Sequence, residues 1–144
     1  MATLAHAIRA ALLTGEPYDK VRATRALVRG WRRGQLTPVF DIAMPDRPVW
    51  PAALELRAPG EMPRRGKGGS ERGRIALWHA LAHIEFVAID LALDMAGRFG
   101  GDQSRAFVDD FLGVAADEAM HFVLLDRKLR SLGSHYGALP VHDL

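Results

Sequence analysis

Three residues in the second half of the chain have the types and the spacing of metal ligands. Glu118 and His121 form a Glu-x-x-His motif, which projects a carboxylate and an imidazole from one face of a helix. Glu85 lies in an earlier apolar stretch that also has helical periodicity. Since the chain contains no cysteine, only histidine and carboxylate side chains are available as strong ligands. The three residues are therefore candidate ligands of a cation.

Two long helices, predicted over residues 71 to 132, must bring these side chains together. The break between them falls at Phe99-Gly100-Gly101-Asp102, where the glycines favour a helix end and Asp102 is a candidate N-cap. Each helix carries an apolar stripe with one glutamate in it, and on the second helix His121 lies beside that glutamate. The first stripe contains Trp78, Leu81, Ala82, Glu85, Ala88, Ile89, Ala92 and Ala96, and the second contains Phe107, Phe111, Val114, Ala115, Glu118, Phe122, Leu125, Leu129 and Leu132.

The distance of each ligand from the turn supports the same site. At about 1.5 Å per residue, Glu85 lies roughly 22 Å before Gly100, and the Glu-x-x-His motif lies roughly 25 to 30 Å after it. Antiparallel packing of the two helices places all three side chains within about one turn of each other. A lone ionised carboxylate costs several kcal/mol to bury unless it is paired or coordinated. Either a metal binds here, or Glu85 pairs with His121 or an arginine.

Other polar residues on these helices are weaker candidates. His79 and His83 have the i, i+4 spacing of a zinc-binding pair, but they point away from Glu85 on the helical wheel. We expect them to pack against the N-terminal region or to hydrogen-bond Asp90 and the preceding linker. Asp117 could accept a hydrogen bond from a ligating imidazole.

The chain divides into three regions, residues 1–33, 34–70 and 71–144. Residues 2 to 33 predict two helices separated near Pro17, and the second is amphipathic, with Val21, Leu27, Val28 and Trp31 on one side. Its other side is basic, which favours a solvated face, with RNA, a nucleotide or another anion as the alternative partner. The arginines concerned are Arg22, Arg25, Arg29, Arg32 and Arg33.

Residues 34–70 hold six of the eight prolines, which exclude a long helix and disfavour a central strand. We expect an extended segment wrapped on the surface and attached by Val39, Phe40, Val49 and Trp50. After the predicted hairpin, Leu132-Gly133 ends the second helix and an irregular tail follows.

Composition limits the remaining classes of protein. With 144 residues and 49% hydrophobic residues, the chain has the length and composition of one soluble domain. No uninterrupted apolar run reaches the roughly 20 residues of a membrane span, and residues 1 to 15 do not resemble a secretory signal. We therefore expect a cytoplasmic protein with no membrane partner. Residues 1 to 74 are basic overall and residues 75 to 144 are acidic, so the two halves are suited to different partners.

Several stretches of the sequence carry a family resemblance: Met62–Arg65, Arg74–Glu85, Ala88–Ala92, Asp117–Phe122 and Leu132–His142. In these stretches the chain resembles a widespread bacterial family of uncharacterised ferritin-like proteins. That family is distantly similar to the di-iron hydroxylase that modifies a hypermodified adenosine in transfer RNA.

The resemblance implies a carboxylate-bridged di-iron centre. In such proteins one Glu from a first helix and a Glu-x-x-His from a second bind iron together with the same set from a third and fourth helix. By resemblance, Glu85, Glu118 and His121 are iron ligands, although manganese or zinc would accept similar donors. The members of the family are much longer than this chain, which has no second set of these ligands.

Two arrangements would complete such a site. A twofold dimer would supply two copies of each ligand, or the chain is a truncated product whose missing half carries the rest. The expected fold is all-α: a ferritin-like helical hairpin that dimerises into a four-helix bundle, wrapped by the N-terminal helices and the Pro-rich segment. The expected function is an O₂-dependent oxidoreductase or hydroxylase acting on an organic substrate, which could be a nucleotide or RNA. A non-catalytic metal-binding or interaction module is the alternative.

Overall fold

The computed structural model describes residues 1–62 and 69–142, and it is mostly helical, which confirms the all-α prediction. The part of the linker at residues 63–68 lies outside the described residues. Short 3₁₀ turns occur at Pro59–Glu61 and Gly100–Asp102. The longer elements are α1 (Leu4–Leu12), α2 (Pro17–Arg32), α3 (Glu71–Phe99) and α4 (Arg105–Ser131), and two short strands are β1 (Leu56–Arg57) and β2 (Val141–His142).

Polar side chains cap the start of each helix. The Thr3 hydroxyl accepts a hydrogen bond from the first turn of α1, and the Glu16 carboxylate caps α2 directly before Pro17. Ser70 caps α3 in the same way. The N-cap of α4 is Ser104, not Asp102, because Asp102 still belongs to the 3₁₀ turn that reverses the chain. The prediction of the turn was therefore right in place but wrong in its capping residue.

The antiparallel hairpin of α3 and α4 forms the centre of the fold. Helix α1 packs on α2 and α3, and α2 packs on α4, so both N-terminal helices cover the same side of the hairpin. The apolar residues predicted to face inward from α2 are all buried, with Val28 1% and Trp31 4% exposed. The interior between the helices is formed by residues such as Leu4, Ile8, Phe86, Leu93 and Phe122.

The Pro-rich segment is attached by a partly different set of residues from the one predicted. Met44 and Leu54 are buried, whereas Val39 and Val49 are exposed. Phe40 packs on the turn between α3 and α4, where a Cβ on Gly100 would lie 2.8 Å from the Phe40 ring. The glycine therefore permits the close approach of the segment to the turn.

The C-terminal tail is more ordered than predicted. Gly133 has a φ of +83°, a conformation that favours glycine, and it follows the C-cap Leu132 of α4. Beyond it, β2 pairs in parallel with β1, with Leu56 opposite Val141 and Arg57 opposite His142. The tail thus returns to the Pro-rich segment.

The segment Glu71–Asp102, which comprises α3 and its turn, is long and apolar enough to cross a membrane by length and composition alone. Less than half of its most apolar 18-residue stretch is buried within the protein. Core helices of soluble proteins pass the same test, so a single such helix is weak support for membrane insertion.

Candidate metal centre

The structure brings Glu85, Glu118 and His121 together across the α3–α4 interface. His121 Nδ1 lies 3.4 Å from Glu118 Oε2 and 3.7 Å from Glu85 Oε2. One ligand atom from each of the three residues lies within 4.8 Å of the other two. In the part of the chain that the structure describes, this is the group of three or more carboxylate and imidazole side chains close enough to hold an ion.

Small and aromatic residues set the relative position of the two ligand-bearing helices. Ala82 on α3 and Ala115 and Ala119 on α4 are fully buried, so the two backbones can approach closely. The rings of Phe86 and Phe122 pack with their centroids 5.3 Å apart. Each Phe directly follows a candidate ligand in sequence, and this contact therefore fixes Glu85 and His121 at the same level of the hairpin.

The three side chains are more accessible than the predicted stripes imply. Their side chains are 26% (Glu85), 22% (Glu118) and 53% (His121) exposed. The expectation that the ligand stripes form the buried faces of the hairpin is therefore only partly correct. The N-terminal helices, the Pro-rich segment and the tail cover the other side, so α3 is rotated to bury His79, His83, Phe86 and Asp90.

Apolar residues surround the three candidate ligands on the uncovered side of the hairpin, which we call the open face. Leu81 and Val114 lie one helical turn before Glu85 and Glu118, and both are exposed. The exposure reaches 55% at Ile84, an unusual fraction for isoleucine on a central helix. The large apolar residues exposed on this face are Leu77, Leu81, Ile84 and Phe99 on α3 and Val114 and Leu124 on α4.

The two other histidines of α3 do not join this cluster. His79 and His83 are 2% and 3% exposed and bind the C-terminal tail, not the N-terminal region as expected. His79 Nε2 accepts hydrogen bonds from the backbone N–H groups of Gly137 (2.9 Å) and Leu139 (3.4 Å). Burial, with His83 and His135 nearby, lowers the pKa of His79 to about 4. Each ring is therefore occupied by structural hydrogen bonds and remains neutral near pH 7.

Hydrogen bonding fixes the tautomer of His83. Its Nε2 lies 2.9 Å from the His142 carbonyl, which can only accept, so Nε2 carries the proton. Its Nδ1 then accepts from the Tyr136 hydroxyl at 2.8 Å. The Trp50 ring packs edge-on against His83, so the linker touches this histidine through a ring contact and not through the hydrogen bond that the sequence predicted. The spacing of the sequence carries no signal for Tyr136, which only the fold of the tail reveals.

A buried ion pair links the N-terminal helices to α3. Lys20 is 0% exposed, and its Nζ lies 2.6 Å from Asp90 Oδ1 and 3.2 Å from the Leu12 carbonyl. Asp90 Oδ2 accepts from Trp50 Nε1 at 3.0 Å. Burial is the largest influence on both pKa values, lowering that of Lys20 and raising that of Asp90. Sequence reasoning missed Lys20, although its position on the inward side of α2 with Thr24, Leu27 and Trp31 was a usable signal.

Asp126 fixes the start of the tail on α4. It accepts hydrogen bonds from the Tyr18 hydroxyl, from Arg130 Nε at 2.8 Å and from the Tyr136 backbone N–H at 2.8 Å. Burial alone would raise the pKa of Asp126, but these three donors outweigh it and lower the pKa. Asp117, the other carboxylate considered near the site, is exposed.

A cleft of about 630 Å³ opens between the Pro-rich segment and α3. Its walls include Leu12, Trp50, Leu54 and Leu91, and the Asp94–Arg98 ion pair lies at its edge. The candidate ligands are not among the residues that line it. The cleft is therefore separate from the metal cluster.

The donor set fits a metal ion. Carboxylate and imidazole ligands bind zinc or iron at about 2.0–2.2 Å, so ligand atoms 3.4 to 4.8 Å apart can reach one ion with small side-chain rotations. Three protein ligands leave coordination positions open, as in catalytic metal sites. A two-metal centre of the ferritin-like type needs two such sets, and the described residues contribute one.

Comparison with known proteins places the chain in a family. Residues 13–144 match the family described as protein of unknown function (DUF455), and the chain belongs to that family. It is 36% identical over 137 residues to an uncharacterized protein of Haemophilus influenzae, an alignment covering 90% of this chain and 45% of the relative. The chain thus spans less than half the length of that relative. No solved structure matches the chain.

Proposed function

We propose that Glu85, Glu118 and His121 form half of the ligand set of a di-iron centre in a ferritin-like protein, and that the protein is an O₂-dependent oxidoreductase. The observation that carries this proposal is the convergence of one Glu on α3 with a Glu-x-x-His on α4, with ligand atoms within 4.8 Å. This is the arrangement that each half of a ferritin-like di-metal site contributes.

The chemistry divides between the metal and the chain. When bound, a di-iron centre would supply redox-active metal ions with open coordination positions for the oxidation of an organic substrate by O₂, and a hydroxylation would also consume two electrons from an external reductant. Glu85 and Glu118 would offset part of the positive charge, and His121 would bind as a neutral imidazole. Leu81 and Val114 flank the carboxylates, so once covered they would keep water away from the reacting atoms.

The open face suggests how the site is completed. A second copy of the chain, packed on this face about a twofold axis, would bring a second Glu85, Glu118 and His121 to the first set. The same contact would bury exposed leucines of α3, including Leu77 and Leu81. The resulting assembly would be a four-helix bundle of two α3–α4 hairpins, as the ferritin-like fold requires.

Iron loading tests the ligand assignment. The purified chain is incubated anaerobically with Fe²⁺, desalted and analysed for bound iron and oligomeric state. We expect about two iron ions per dimer, in line with a two-metal carboxylate site. Glu118→Ala should abolish loading, whereas Asp117→Ala, which removes the neighbouring exposed carboxylate, should load like the parent. Equal loading of the two variants would show that the site is misplaced.

The exposure of His121 favours a second candidate, a non-catalytic metal-binding or interaction module. Parallel incubations with Mn²⁺ and Zn²⁺ and exposure of the iron-loaded protein to O₂ distinguish the two. O₂ consumption and an oxo-bridge absorption band support the oxidoreductase. Metal loading without O₂ consumption or an absorption band supports the non-catalytic module. A metal-free protein that is as stable as the metal-loaded form supports it as well.

A further inference from the structure

The second helix presents a row of cationic side chains to solvent. Arg22, Arg25, Arg29 and Arg32 lie on α2 and Arg33 is its C-cap, and all five are exposed. We call this surface the arginine face. The apolar side of the same helix, from Val21 to Trp31, is buried against the protein, so the row is held on a fixed helix.

In the part of the chain that the structure describes, four of these arginines have no ion-pair partner. Arg22 pairs with Asp19, one turn earlier on the helix. Within residues 1–62 and 69–142, no carboxylate lies within ion-pair distance of Arg25, Arg29, Arg32 or Arg33. Like charges three or four residues apart repel each other and weaken a helix. The row is thus electrostatically unfavourable in isolation, and an anionic partner would relieve the repulsion.

The spacing of the row fits a linear polyanion. At about 1.5 Å per residue, Arg22 to Arg33 spans roughly 16 Å, so the five guanidinium groups follow one another at about 4 Å on average along the helix axis. A nucleic-acid strand carries one phosphate per roughly 3.4 Å of its helix axis, so the row would face about five phosphates. All five cations are arginine. A planar guanidinium donates two parallel hydrogen bonds to the oxygens of one phosphate, whereas a lysine ammonium acts as a point charge.

We propose that the arginine face binds the phosphate backbone of a nucleic acid. A membrane is a poorer partner, because a helix that lies in a lipid interface must insert an exposed apolar side. The apolar side of α2 is already buried in the core, with each side chain at most 6% exposed: Val21, Leu27, Val28 and Trp31. The face offers charge and hydrogen-bond donors without apolar side chains to insert.

The arginine face adjoins the helix that carries two of the candidate metal ligands. Helix α2 runs antiparallel along α4. At one end the Tyr18 hydroxyl donates a hydrogen bond to Asp126, and at the other Trp31 Nε1 donates to Asp109 Oδ1 at 2.7 Å. At the Trp31 end, the Arg105 guanidinium lies 4.4 Å from the indole centroid and 4.0 Å from Asp109 Oδ1, so this end of the face carries an ion pair of α4. A nucleic-acid strand bound to α2 would therefore run beside α4. The proposal does not depend on a bound metal.

Fluorescence anisotropy with a labelled RNA hairpin and a labelled DNA duplex tests the proposal. The Arg25→Gln/Arg29→Gln/Arg33→Gln variant is compared with the parent chain and with Arg72→Gln/Arg74→Gln/Arg127→Gln. The control removes the same charge from exposed positions on α3 and α4. We expect salt-dependent binding by the parent, with a log–log slope of about −2 to −4 for three or four phosphate contacts.

The two triple variants should differ clearly. The Arg25→Gln/Arg29→Gln/Arg33→Gln variant should bind about tenfold or more weakly at low salt, and the magnitude of its log–log salt slope should fall by about two to three. The control variant should change the affinity less than about threefold. Preference for the RNA or the DNA probe identifies the nucleic acid. Equal losses in both variants would overturn the proposal, as would salt-independent binding or binding to phosphatidylserine vesicles without binding to either probe. Circular dichroism of each variant checks that the helices are retained.

Discussion

Lys20 Nζ lies 2.6 Å from Asp90 Oδ1, and neither side chain is more than 5% exposed. The pair joins α2 to α3 at a point where the Leu12 carbonyl and the Trp50 indole complete the hydrogen bonding of both charges. A charge left alone at this position would have no solvent to replace its partner. This ion pair therefore couples the N-terminal helices to α3, while the Tyr18–Asp126 and Trp31–Asp109 hydrogen bonds join them to α4.

Removal of either partner of this pair should be strongly destabilising. We expect Lys20→Met to lower the free energy of unfolding by about 3–5 kcal/mol, because Asp90 would remain buried and unpaired. Arg22→Met is the matched control, since it breaks the exposed pair with Asp19 on the same helix and should cost at most about 1 kcal/mol. Urea unfolding followed by circular dichroism measures both. Similar losses would contradict the burial of Lys20.

The stability of the protein should fall at acidic pH because of His79. Its pKa is about 4 in the folded chain and 6.5 in a model peptide, so the unfolded state takes up the proton first as pH falls below 6.5. The stabilisation is complete above pH 6.5, decreases between pH 6.5 and 4, and amounts to about 3 kcal/mol for this residue.

Substitution of His79 isolates its contribution to this profile. His79→Gln keeps an acceptor for the Gly137 N–H but cannot titrate, so the loss of stability between pH 6.5 and 4 should become smaller. His6→Gln, at a half-exposed site on α1, is the control for replacing a histidine at the surface. Urea midpoints measured at half-unit pH intervals would refute the assignment if the parent and His79→Gln curves stay parallel.

Loss of the Tyr136 hydroxyl should loosen the tail. Tyr136→Phe leaves His83 Nδ1 buried without its donor, and we expect a cost of about 1–3 kcal/mol. Because Asp126 still holds the Tyr136 backbone N–H, the end of the tail should be affected more than its start. Hydrogen exchange at Val141, whose N–H donates to the Glu55 carbonyl at 2.8 Å, reports this directly. Unchanged exchange there would show that the hydroxyl does not hold the tail.

Gly97 should not tolerate a side chain. A Cβ at this position would lie 2.5 Å from Met44 Sδ and 3.0 Å from Ile8 Cγ2, so Gly97→Ala must displace the buried Met44 side chain and crowd Ile8. We expect a loss of about 1–3 kcal/mol from overpacking. Gly60→Ala is the control, because nothing lies within 4 Å of its Cβ position. Thermal unfolding of both variants would contradict the close packing if their midpoints agree.

The hairpin and the convergence of its polar residues could be predicted from the sequence because both follow from local rules. The helical rise and the position of the turn place Glu85 level with Glu118 and His121, whatever packs around them. Pro17 and the glycines at residues 100 and 101 mark helix boundaries, which also depend only on the neighbouring sequence. These features therefore agree with the structure to within a few residues.

The burial of α3 could not be predicted in the same way, because the helix is apolar on more than one side. Leu81 and Leu91 look like core residues in the sequence, yet they are exposed, while His79 and Asp90 look polar and are buried. Which side is covered depends on partners far along the chain, such as Lys20, Trp50 and Tyr136. Local periodicity carries no information about these partners.

The parallel pairing of β1 with β2 has a consequence for how the chain folds. Because Leu56 and Val141 are opposite each other, the whole hairpin is enclosed in the loop between them, and closing a loop of that length costs on the order of 4 kcal/mol of chain entropy. Strands of two residues cannot supply that free energy alone, so the loop can close only after α3 and α4 have paired and His83 is in place to bind the tail. We therefore expect the two ends of this loop to join late in folding and to separate early in unfolding.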